Sequence, residues 1–310
     1  MKIASLLPSA TEIVISLGLE KQLVGRSHEC DMTKFIRELP VLTEPGMKIH
    51  GESEEIDQSL ARAAELGLSV FKVNVNELSR INPDVILTQD HCEVCAIPFK
   101  QVQEAVDKFC SGSTEIVSLS PTNLDEVLDS IRKTAKALNR VKIAKDVIKE
   151  LELRFKIIRQ TALGEPSKSV LAIEWIQPLM TAGNWVPELI EIAGADPLLA
   201  DFGKHSPKIK PEQILEADPD VITVVPCGYT IDETLSELDT LTGMDGWNQL
   251  RAVNENQVYI LDGNRYFNRP GPGIYESARI LSEILHPKLF KPKHKDDGWI
   301  HLSAAPESTV

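Results

Sequence analysis

Sulfur-containing side chains occur in short clusters that could bind a metal. Cys92 and Cys95 form a C-x-x-C pair, and Cys30 or Cys227 could complete a four-ligand site. Such a set suits zinc or an iron–sulfur cluster, because both take thiolate ligands. A C-x-x-C pair is equally typical of redox-active or simply buried thiols, so both interpretations stay open. Cys110 lies on a helix-like stretch and is expected in the core.

A second set of side chains suits a large organic ligand. Its aromatic members could wall a flat ligand, burying much area at low entropic cost, or could pack in a core or at a contact between lobes. Its carboxylate could anchor the ligand or simply end a strand, and its arginines could bind an acidic group or pair with surface carboxylates. The set is Ser9, His28, Glu174, Trp175, Trp185, Tyr229, Arg265, Tyr266, Phe267 and Arg269.

Each of these clusters follows a segment that is predicted to be a β-strand. In the first half of the chain the clusters are LPSATE, SHECD and QDHCEVC, and in the second half they are WIQPLMTAGNW, PCGY and NRYFNRPGP. In open parallel sheets, ligands bind beyond the carboxyl ends of the strands. If the two halves face each other, these loops converge on one cleft, which predicts a ligand-binding protein.

Strands and helices alternate along most of the chain. IASLL, EIVSL and SVLAIEW are strand-like, whereas PELIEIAGA and GIYESARILSEIL are helix-like. This alternation is typical of parallel α/β architecture. Capping signals mark helix starts at Ser9 with Glu12 and at Asn123 with Glu126, and Gly18 is expected to end the first helix.

A long stretch of helical periodicity divides the chain into two lobes. Apolar residues repeat at helical spacing from Asn123 to Ala162, with a break at Asn139 and no proline. The part after the break predicts one helix of about 20 residues, or roughly 30 Å. We therefore predict an α/β fold of two lobes with mainly parallel sheets, joined by a single long helix. The predicted boundaries are 1–140 for the first lobe, 141–165 for the helix, 166–287 for the second lobe and 288–310 for a polar, loosely packed tail.

Composition and charge argue against several classes of protein. Of the 310 residues, 42% are hydrophobic and 25% are charged, and the net charge is −13. Nucleic acid is not expected as a partner, because binding it needs clustered Lys and Arg to neutralise phosphates. No membrane insertion is expected, because no segment approaches about 18 consecutive apolar residues. MKIASLLPSATEIV lacks the pattern of a signal peptide, so we expect a cytoplasmic protein, periplasmic only if a signal peptide has been removed.

An enzymatic role is the alternative of a different class. The predicted cleft offers carboxylates besides the thiols, namely Glu12, Glu29, Asp31, Glu174 and Glu188. The sequence contains no nucleophile elbow, no phosphate-binding glycine loop and no HExxH motif. This pattern favours a binding protein over an enzyme, with a metal- or cluster-binding protein that uses the Cys and His residues as the second possibility.

Several motifs together indicate a family. ASLLPSATEIVISLGL is followed by VGRSHECD, and NELSRINPDVILTQ has a counterpart in KPEQILEADPDVITV. In order and spacing they resemble the helix-linked (class III) periplasmic binding proteins, which serve ABC importers of cobalamin and iron–siderophore complexes. The resemblance spans roughly residues 2–287, and the helix near residues 142–162 stands where that family has its interdomain helix.

The resemblance implies a ligand and a partner. The ligand would be cobalamin, another corrinoid or another metal chelate, with His28 or His91 able to ligate cobalt, and the partner would be an ABC importer. GRSHECD, TQDHCEVCA, EWIQPLMTAGNWVPELIEIAG, PCGY and YFNRPGP narrow the resemblance to proteins commonly labelled cobalamin-binding, many without export signals. Gly273 is a departure, because an Arg is expected after PGP, so an anion-binding role is not expected there.

Overall fold

The chain forms two compact units. The computed structural model describes residues 1–46, 51–65, 71–89, 99–110 and 114–302. Unit 1 comprises Met1–Gly51, Glu55–Leu151 and Pro270–Gly273, and unit 2 comprises Glu52–Glu54, Glu152–Arg269 and Ile274–Val310. Each unit is built of strands and helices, which confirms the predicted α/β class.

The first half of the chain contains two small sheets. Its strands are β1 (Ile3–Ser5), β2 (Leu23–Gly25), β3 (Thr43–Pro45), β4 (Phe71–Val73), β5 (Val85–Gln89) and β6 (Glu115–Leu119). Its helices are α1 (Pro8–Ser16), α2 (Lys34–Glu38), α3 (Ser53–Glu65), α4 (Val75–Ile81), α5 (Phe99–Phe109) and α6 (Leu124–Ala137). The main sheet is wholly parallel in the order β2-β1-β5-β6, and β3 and β4 form a separate antiparallel pair.

The parallel sheet of unit 1 is buried by helices, as its apolar strands require. All three residues of β1 and the first four of β5 are buried, a pattern that parallel strands show when both faces are covered. Ile86 of β5 packs with Leu78 of α4 and Val102 of α5 in one cluster. Cys110, expected in the core, is only partly buried and packs against the edge of the same cluster.

Two of the three capping predictions are confirmed. Gly18 follows the end of α1 with φ +71°, in the left-handed region that suits glycine. The side chain of Asn123 caps α6 by accepting a hydrogen bond from the backbone N–H of Glu126. The prediction for Ser9 is wrong, because α1 begins at Pro8, so Ser9 lies inside the first turn and not at the N-cap. Proline is favoured at the first helical position because it has no N–H to leave unsatisfied.

One continuous helix carries the chain from unit 1 into unit 2. This helix, α7 (Val141–Ala162), has 22 residues, which corresponds to about 33 Å. It follows Asn139, whose φ of 55° breaks the helical path after α6. The predicted single long helix is confirmed.

Unit 2 contains one larger sheet. Its strands are β7 (Ser169–Trp175), β8 (Met180–Thr181), β9 (Asp196–Pro197), β10 (Val221–Val224), β11 (Val258–Leu261) and β12 (Trp299–His301). Its helices are α8 (Val186–Ile192), α9 (Pro211–Ala217), α10 (Ile231–Thr242), α11 (Arg251–Asn254) and α12 (Ile274–Leu285). The order is β12-β11-β10-β7-β8, with β9 beside β7, and the central strands β11, β10 and β7 are parallel. The edge strands β12 and β8 are antiparallel to their neighbours.

The C-terminal segment packs more tightly than the sequence predicts. Phe290 is 3% exposed, His294 5% and Trp299 7%, and β12 pairs with β11. The expectation of a loosely packed tail is therefore wrong for residues 288–302. The segment contains few apolar residues. Phe290 and Trp299 are buried, whereas Leu289 is exposed. The backbone N–H of His294 and the indole N–H of Trp299 donate to Glu283 of α12.

Candidate ligand-binding site

Unit 1 carries a small polar cavity at the carboxyl ends of its parallel strands. The cavity measures about 10 Å³, which is room for roughly one water molecule. Its lining comes from residues that follow β1 and β2, from the last two residues of β5, and from β3 and β4: Leu6, Ser27, His28, Glu29, Thr43, Phe71, Thr88 and Gln89. This position is where open parallel sheets bind ligands.

His28 is held in the cavity by Thr43. The backbone N–H of His28 donates to Thr43 Oγ1 at 3.0 Å, and the ring Nδ1 is 2.6 Å from the same oxygen. The Thr43 hydroxyl also lies 3.1 Å from Ser27 Oγ, and the ring of Phe71 packs against the imidazole with centroids 5.2 Å apart. Because Nδ1 is engaged by Thr43, Nε2 is the ring nitrogen that can reach a ligand.

The imidazole of His28 should stay neutral in weak acid. Burial and the positive charge of Arg26 both lower the pKa of His28 below its usual value of 6.5. Since the folded state takes up this proton less readily than the unfolded state, the native protein should lose stability as the pH falls below about 6.5. We expect an NMR titration of the histidine ring to give a pKa for His28 below 6.5.

Two variants of Arg26 separate its charge from its packing. Arg26→Gln should raise the pKa of His28 only in part, because burial is the larger cause. Arg26→Lys keeps the charge and should leave the pKa of His28 nearly unchanged. A pKa of His28 at or above 6.5 in the unmodified protein would contradict this account.

Two predicted site residues of unit 1 are buried in its core. Ser9 is 5% exposed within the first turn of α1. Cys30 is 1% exposed, and its Sγ lies 3.2 Å from the hydroxyl of Thr11, which itself donates to Ser5 at 2.8 Å. This burial favours the interpretation of Cys30 as a structural thiol, and the binding roles of both residues remain predictions.

Unit 2 brings residues from two neighbouring strands together. Because β7 and β10 run parallel and pair directly, the end of β7 meets the loop after β10. The backbone N–H of Cys227 donates to the carbonyl of Glu174 at 3.1 Å, and the rings of Trp175 and Tyr229 meet edge to face with centroids 5.5 Å apart. The loop after β11 joins them, since the N–H of Asn264 donates to the carbonyl of Tyr229 at 3.0 Å.

Trp175 is a partly buried aromatic side chain with an unused donor. Its indole Nε1 is shielded from solvent, and no residue in the described part of the chain accepts a hydrogen bond from it. A buried N–H without an acceptor costs free energy, so such a group suits a ligand that supplies one. Trp175 therefore offers both an aromatic face and a directed donor.

The carboxyl group of Glu174 lies in a pocket of donors from the neighbouring loop. It accepts a short hydrogen bond from the hydroxyl of Ser206 and another from the backbone N–H of Gly183. Burial raises the pKa of Glu174, and these two hydrogen bonds and the charge of His205 only partly oppose it. Glu174 therefore has internal partners and is not simply an exposed carboxylate at the end of a strand.

Tyr229 keeps its proton under ordinary conditions. Burial is the largest cause that raises the pKa of its phenol, and the charge of Glu237 and a hydrogen bond to it act in the same direction. The hydroxyl therefore acts as a donor to Glu237, and the ring face remains the part of Tyr229 that can contact a ligand.

Three of the predicted aromatic residues are core residues of unit 2. Trp185 is 7% exposed, Tyr266 8% and Phe267 1%. The indole N–H of Trp185 donates to the carbonyl of Phe267 at 2.9 Å, which ties α8 to the loop after β11. Of the alternatives for these residues, their burial favours packing over a ligand wall.

Both predicted arginines have partners within unit 2. Arg265 is exposed, and its guanidinium lies 2.7 and 2.9 Å from the two carboxylate oxygens of Asp297. Arg269 is 6% exposed, and its Nε donates to the carbonyl of Asn264 at 2.9 Å. Arg269 is therefore a buried residue that stabilises the loop after β11. Arg265 pairs with a surface carboxylate, which was one of the two alternatives for it.

Gly273 lies close to a carboxylate. Its N–H donates to Glu12 Oε2 at 3.2 Å, and a Cβ at this position would lie 2.9 Å from the same oxygen. An Arg here would require Glu12 to shift.

No metal site is formed by the residues that the structure describes. They contain no group of three or more His, Cys, Asp or Glu residues that could hold an ion. Cys227 is exposed and Cys30 is buried, whereas His91, Cys92 and Cys95 lie outside the described residues. The zinc or iron–sulfur site thus stays a prediction.

Sequence reasoning missed the residues that hold the site residues in place. Thr43 lies on a three-residue strand, and Ser206 lies in a loop without periodicity. Phe71 lies on β4, and nothing in its spacing pointed to His28. In each case the missing information was a contact between distant segments.

Parallel strands that end in polar and aromatic side chains, on two α/β units of one chain, define a protein that binds a small molecule. The sequence profile described as "periplasmic binding protein" matches residues 3–264. The chain therefore belongs to the periplasmic binding protein family. This is a family of substrate-binding proteins, so the comparison does not support the enzymatic alternative.

Individual relatives are distant. The chain is 25% identical over 297 residues to an uncharacterized ABC transporter substrate-binding lipoprotein of Bacillus subtilis (strain 168), with 94% of this chain and 81% of the relative covered. It is 22% identical over 287 residues to a vitamin B12-binding protein of Vibrio cholerae, covering 92% and 88%. A periplasmic heme-binding protein from Pseudomonas aeruginosa has the same fold, with a TM-score of 0.69 at 17% identity and 93% of each chain covered.

These relatives bear on the expected location. None of the helices within the described ranges is both long and apolar enough to cross a membrane. The cytoplasmic expectation receives no support from the comparisons, since one relative is named a lipoprotein and the family is named for the periplasm.

Proposed function

We propose that the protein is the substrate-binding component of an ABC importer and that its ligand is a corrinoid such as cobalamin. The importer role is supported by the family and by the relative named as an ABC transporter substrate-binding lipoprotein. Distant relatives include proteins named for vitamin B12 and for heme, so the choice of ligand has to come from the side chains of this chain.

The observation that carries the proposal is the Trp175–Tyr229 pair. The two rings lie 5.5 Å apart at the end of β7, and together they offer an apolar edge for a macrocycle. The unused indole N–H of Trp175 adds a donor. A corrin ring carries amide groups on its periphery, and an amide carbonyl would accept that hydrogen bond.

The charges near this pair favour a corrinoid over heme. Heme carries two carboxylates, and their recognition calls for cations that are not already paired. The two arginines of this region already have partners, Arg265 in Asp297 and Arg269 in Asn264. A ligand with neutral amides meets these surroundings at lower cost than a ligand with two negative charges.

Considered within unit 1 alone, His28 has the chemistry of a metal ligand. Its lowered pKa keeps the imidazole neutral, and a neutral nitrogen is what a metal centre requires. Nδ1 is held by Thr43, which directs Nε2 toward the ligand. In this proposal His28 is the candidate cobalt ligand of unit 1.

Titration with cyanocobalamin and with hemin tests the proposal. We expect saturable binding of cyanocobalamin by calorimetry and weaker binding of hemin. Trp175→Ala should weaken cyanocobalamin binding about tenfold, which corresponds to roughly 1.4 kcal/mol, because it removes both the ring and the donor. Trp175→Phe keeps an aromatic ring and should lose less.

Phe202→Ala is the matched control, because Phe202 is a 50% exposed aromatic residue of the same unit that takes no part in the proposed site. It should bind like the unmodified protein. No binding of cyanocobalamin at about 100 μM, which means a binding free energy weaker than about −5.5 kcal/mol, would refute the corrinoid proposal. Tighter binding of hemin than of cyanocobalamin would refute the charge argument.

A further inference from the structure

The imidazole of His294 is clamped between two carboxylates of α12. Its Nδ1 is 3.1 Å from Glu283 Oε1, and its Nε2 is 2.9 Å from Glu276 Oε2. A carboxylate only accepts hydrogen bonds, so each ring nitrogen must carry a proton to donate one. The geometry is therefore that of an imidazolium, in a side chain that is only 7% exposed.

Glu283 binds the C-terminal segment at two points. Its side chain is fully buried, and it accepts hydrogen bonds from the backbone N–H of His294 at 3.0 Å and from the indole N–H of Trp299 at 3.1 Å. Arg279, one turn earlier on α12, donates to it at 3.1 Å. The start of the segment and its strand β12 thus depend on the same carboxylate.

The same segment holds the loop that follows β11. Asp297 accepts hydrogen bonds from the guanidinium of Arg265 and, at 2.7 Å, from the hydroxyl of Tyr266. The carbonyl of Gly298 accepts the N–H of Asp262 at 3.0 Å. These hydrogen bonds from residues 294–301 therefore hold the loop Asp262–Phe267, which contains the short π-helix Gly263–Phe267.

We infer that residues 294–301 form a pH-sensitive strap, which holds the loop Asp262–Phe267 while His294 is protonated and releases it when His294 loses its proton. A neutral imidazole would turn a nitrogen lone pair toward one of the two carboxylates, so one hydrogen bond is replaced by repulsion. The inference does not depend on the identity of the ligand.

The surrounding charges set the pH range of the strap. Burial lowers the pKa of His294, but the hydrogen bonds and charges of Glu276 and Glu283 outweigh it and raise the pKa above 6.5. The groups that face this cluster are Glu276, Arg279 and Glu283 on α12, Lys293 and Asp297 on the segment, and Arg265 and Tyr266 on the loop.

The directions of these pKa shifts define the pH range over which the strap is stable. Because the pKa of His294 is raised, its stabilising effect is complete below about 6.5 and is lost as the pH rises through the raised value. The pKa values of Glu276 and Glu283 are lowered, so their effect is present above about 4.3 and is lost in stronger acid. The strap should be firmest at weakly acidic pH.

Amide hydrogen exchange of the full chain, without ligand, tests the strap. The experiment compares the protection factors of two sets of amides. The first set is β12 together with Asp262, and the reference set is β10 (Val221–Val224) in the same sheet. NMR first gives the pKa of His294 in the unmodified protein. From about one pH unit below this pKa to about one pH unit above it, the ratio of the two protection factors should fall about tenfold or more. His294→Gln should show low protection at both pH values. His205→Gln, at an exposed histidine of the same unit outside residues 294–301, should behave like the unmodified protein.

Two results would overturn the inference: a protection ratio that stays constant as the pH rises through the measured pKa of His294, or a His294→Gln variant that retains the pH dependence. If His294→Gln does not fold, the Glu276→Gln variant tests the same role of His294. Removing that carboxylate charge should lower the pKa of His294, measured by NMR, and should move the loss of protection to lower pH. A loss of protection at the original pH would refute the role of His294.

Discussion

Replacing Glu283 by alanine is expected to lower the free energy of unfolding of unit 2 by about 3–5 kcal/mol. The substitution leaves the buried imidazolium of His294 and the guanidinium of Arg279 without the carboxylate that both contact, and removing one member of a buried ion pair has a cost of this order. It also removes the acceptor of the Trp299 indole N–H. All four tryptophans of the chain lie in unit 2, so denaturant unfolding followed by tryptophan fluorescence reports on this unit alone.

Glu191→Ala is the matched control for Glu283→Ala. Glu191 is an exposed glutamate on α8 of the same unit, and its removal should change the unfolding free energy by no more than about 0.5 kcal/mol. Glu283→Gln keeps the shape but not the charge and should fall between the two. A loss below about 1 kcal/mol in Glu283→Ala would show that the cluster is not a stabilising network.

The strands and helices of this fold follow from local sequence patterns, because buried parallel strands are short apolar runs and helices repeat apolar residues at helical spacing. SVLAIEW is an uninterrupted run with four consecutive buried residues, and the structure makes it β7 over the predicted residues. The break before α7 was visible at Asn139, since asparagine tolerates the left-handed backbone found there. These features are set within a few residues of the chain, so a single sequence is enough to predict them.

The C-terminal segment could not be predicted in the same way. His294 and Glu283 are eleven positions apart and belong to stretches rich in charge, which a sequence pattern assigns to solvent. Their burial follows from mutual neutralisation, and that depends on the packing of the segment against α12. From sequence alone a charged residue is predicted to be exposed, because the partner that would neutralise it in the core is not known.

The candidate site could be predicted from the sequence only in part. The loops that follow parallel strands could be predicted to meet at one end of a sheet, and Trp175 and Tyr229 do meet there. The neighbours that decide how each side chain is used could not be predicted, because they come from other segments. Trp185 donates to a carbonyl within the core, whereas the indole N–H of Trp175 has no acceptor among the described residues. The sequence alone does not distinguish the two.

Replacing Gly183 by alanine is expected to lower the free energy of unfolding of unit 2 by about 3 kcal/mol, near the upper end of the usual cost of overpacking. A Cβ at this position would collide with the backbone carbonyl of Lys204 and would lie 2.6 Å from the backbone nitrogen of Ser206. Backbone atoms cannot rotate aside, so the loop that carries Ser206 must move away from Glu174. For a unit of this size we expect Tm, followed by tryptophan fluorescence, to fall by roughly 6–12 °C.

Gly228→Ala separates this collision from the conformational cost of replacing a glycine. A Cβ at Gly228 would have no atom within 4 Å, but its φ of +78° is in the left-handed region. The expected cost there is only about 1 kcal/mol, from backbone strain alone. Gly183 is not among the residues with positive φ, so its larger penalty has to come from contact with Lys204 and Ser206. If Gly228→Ala were as destabilising as Gly183→Ala, the close approach of these two loops would not be what requires glycine at position 183.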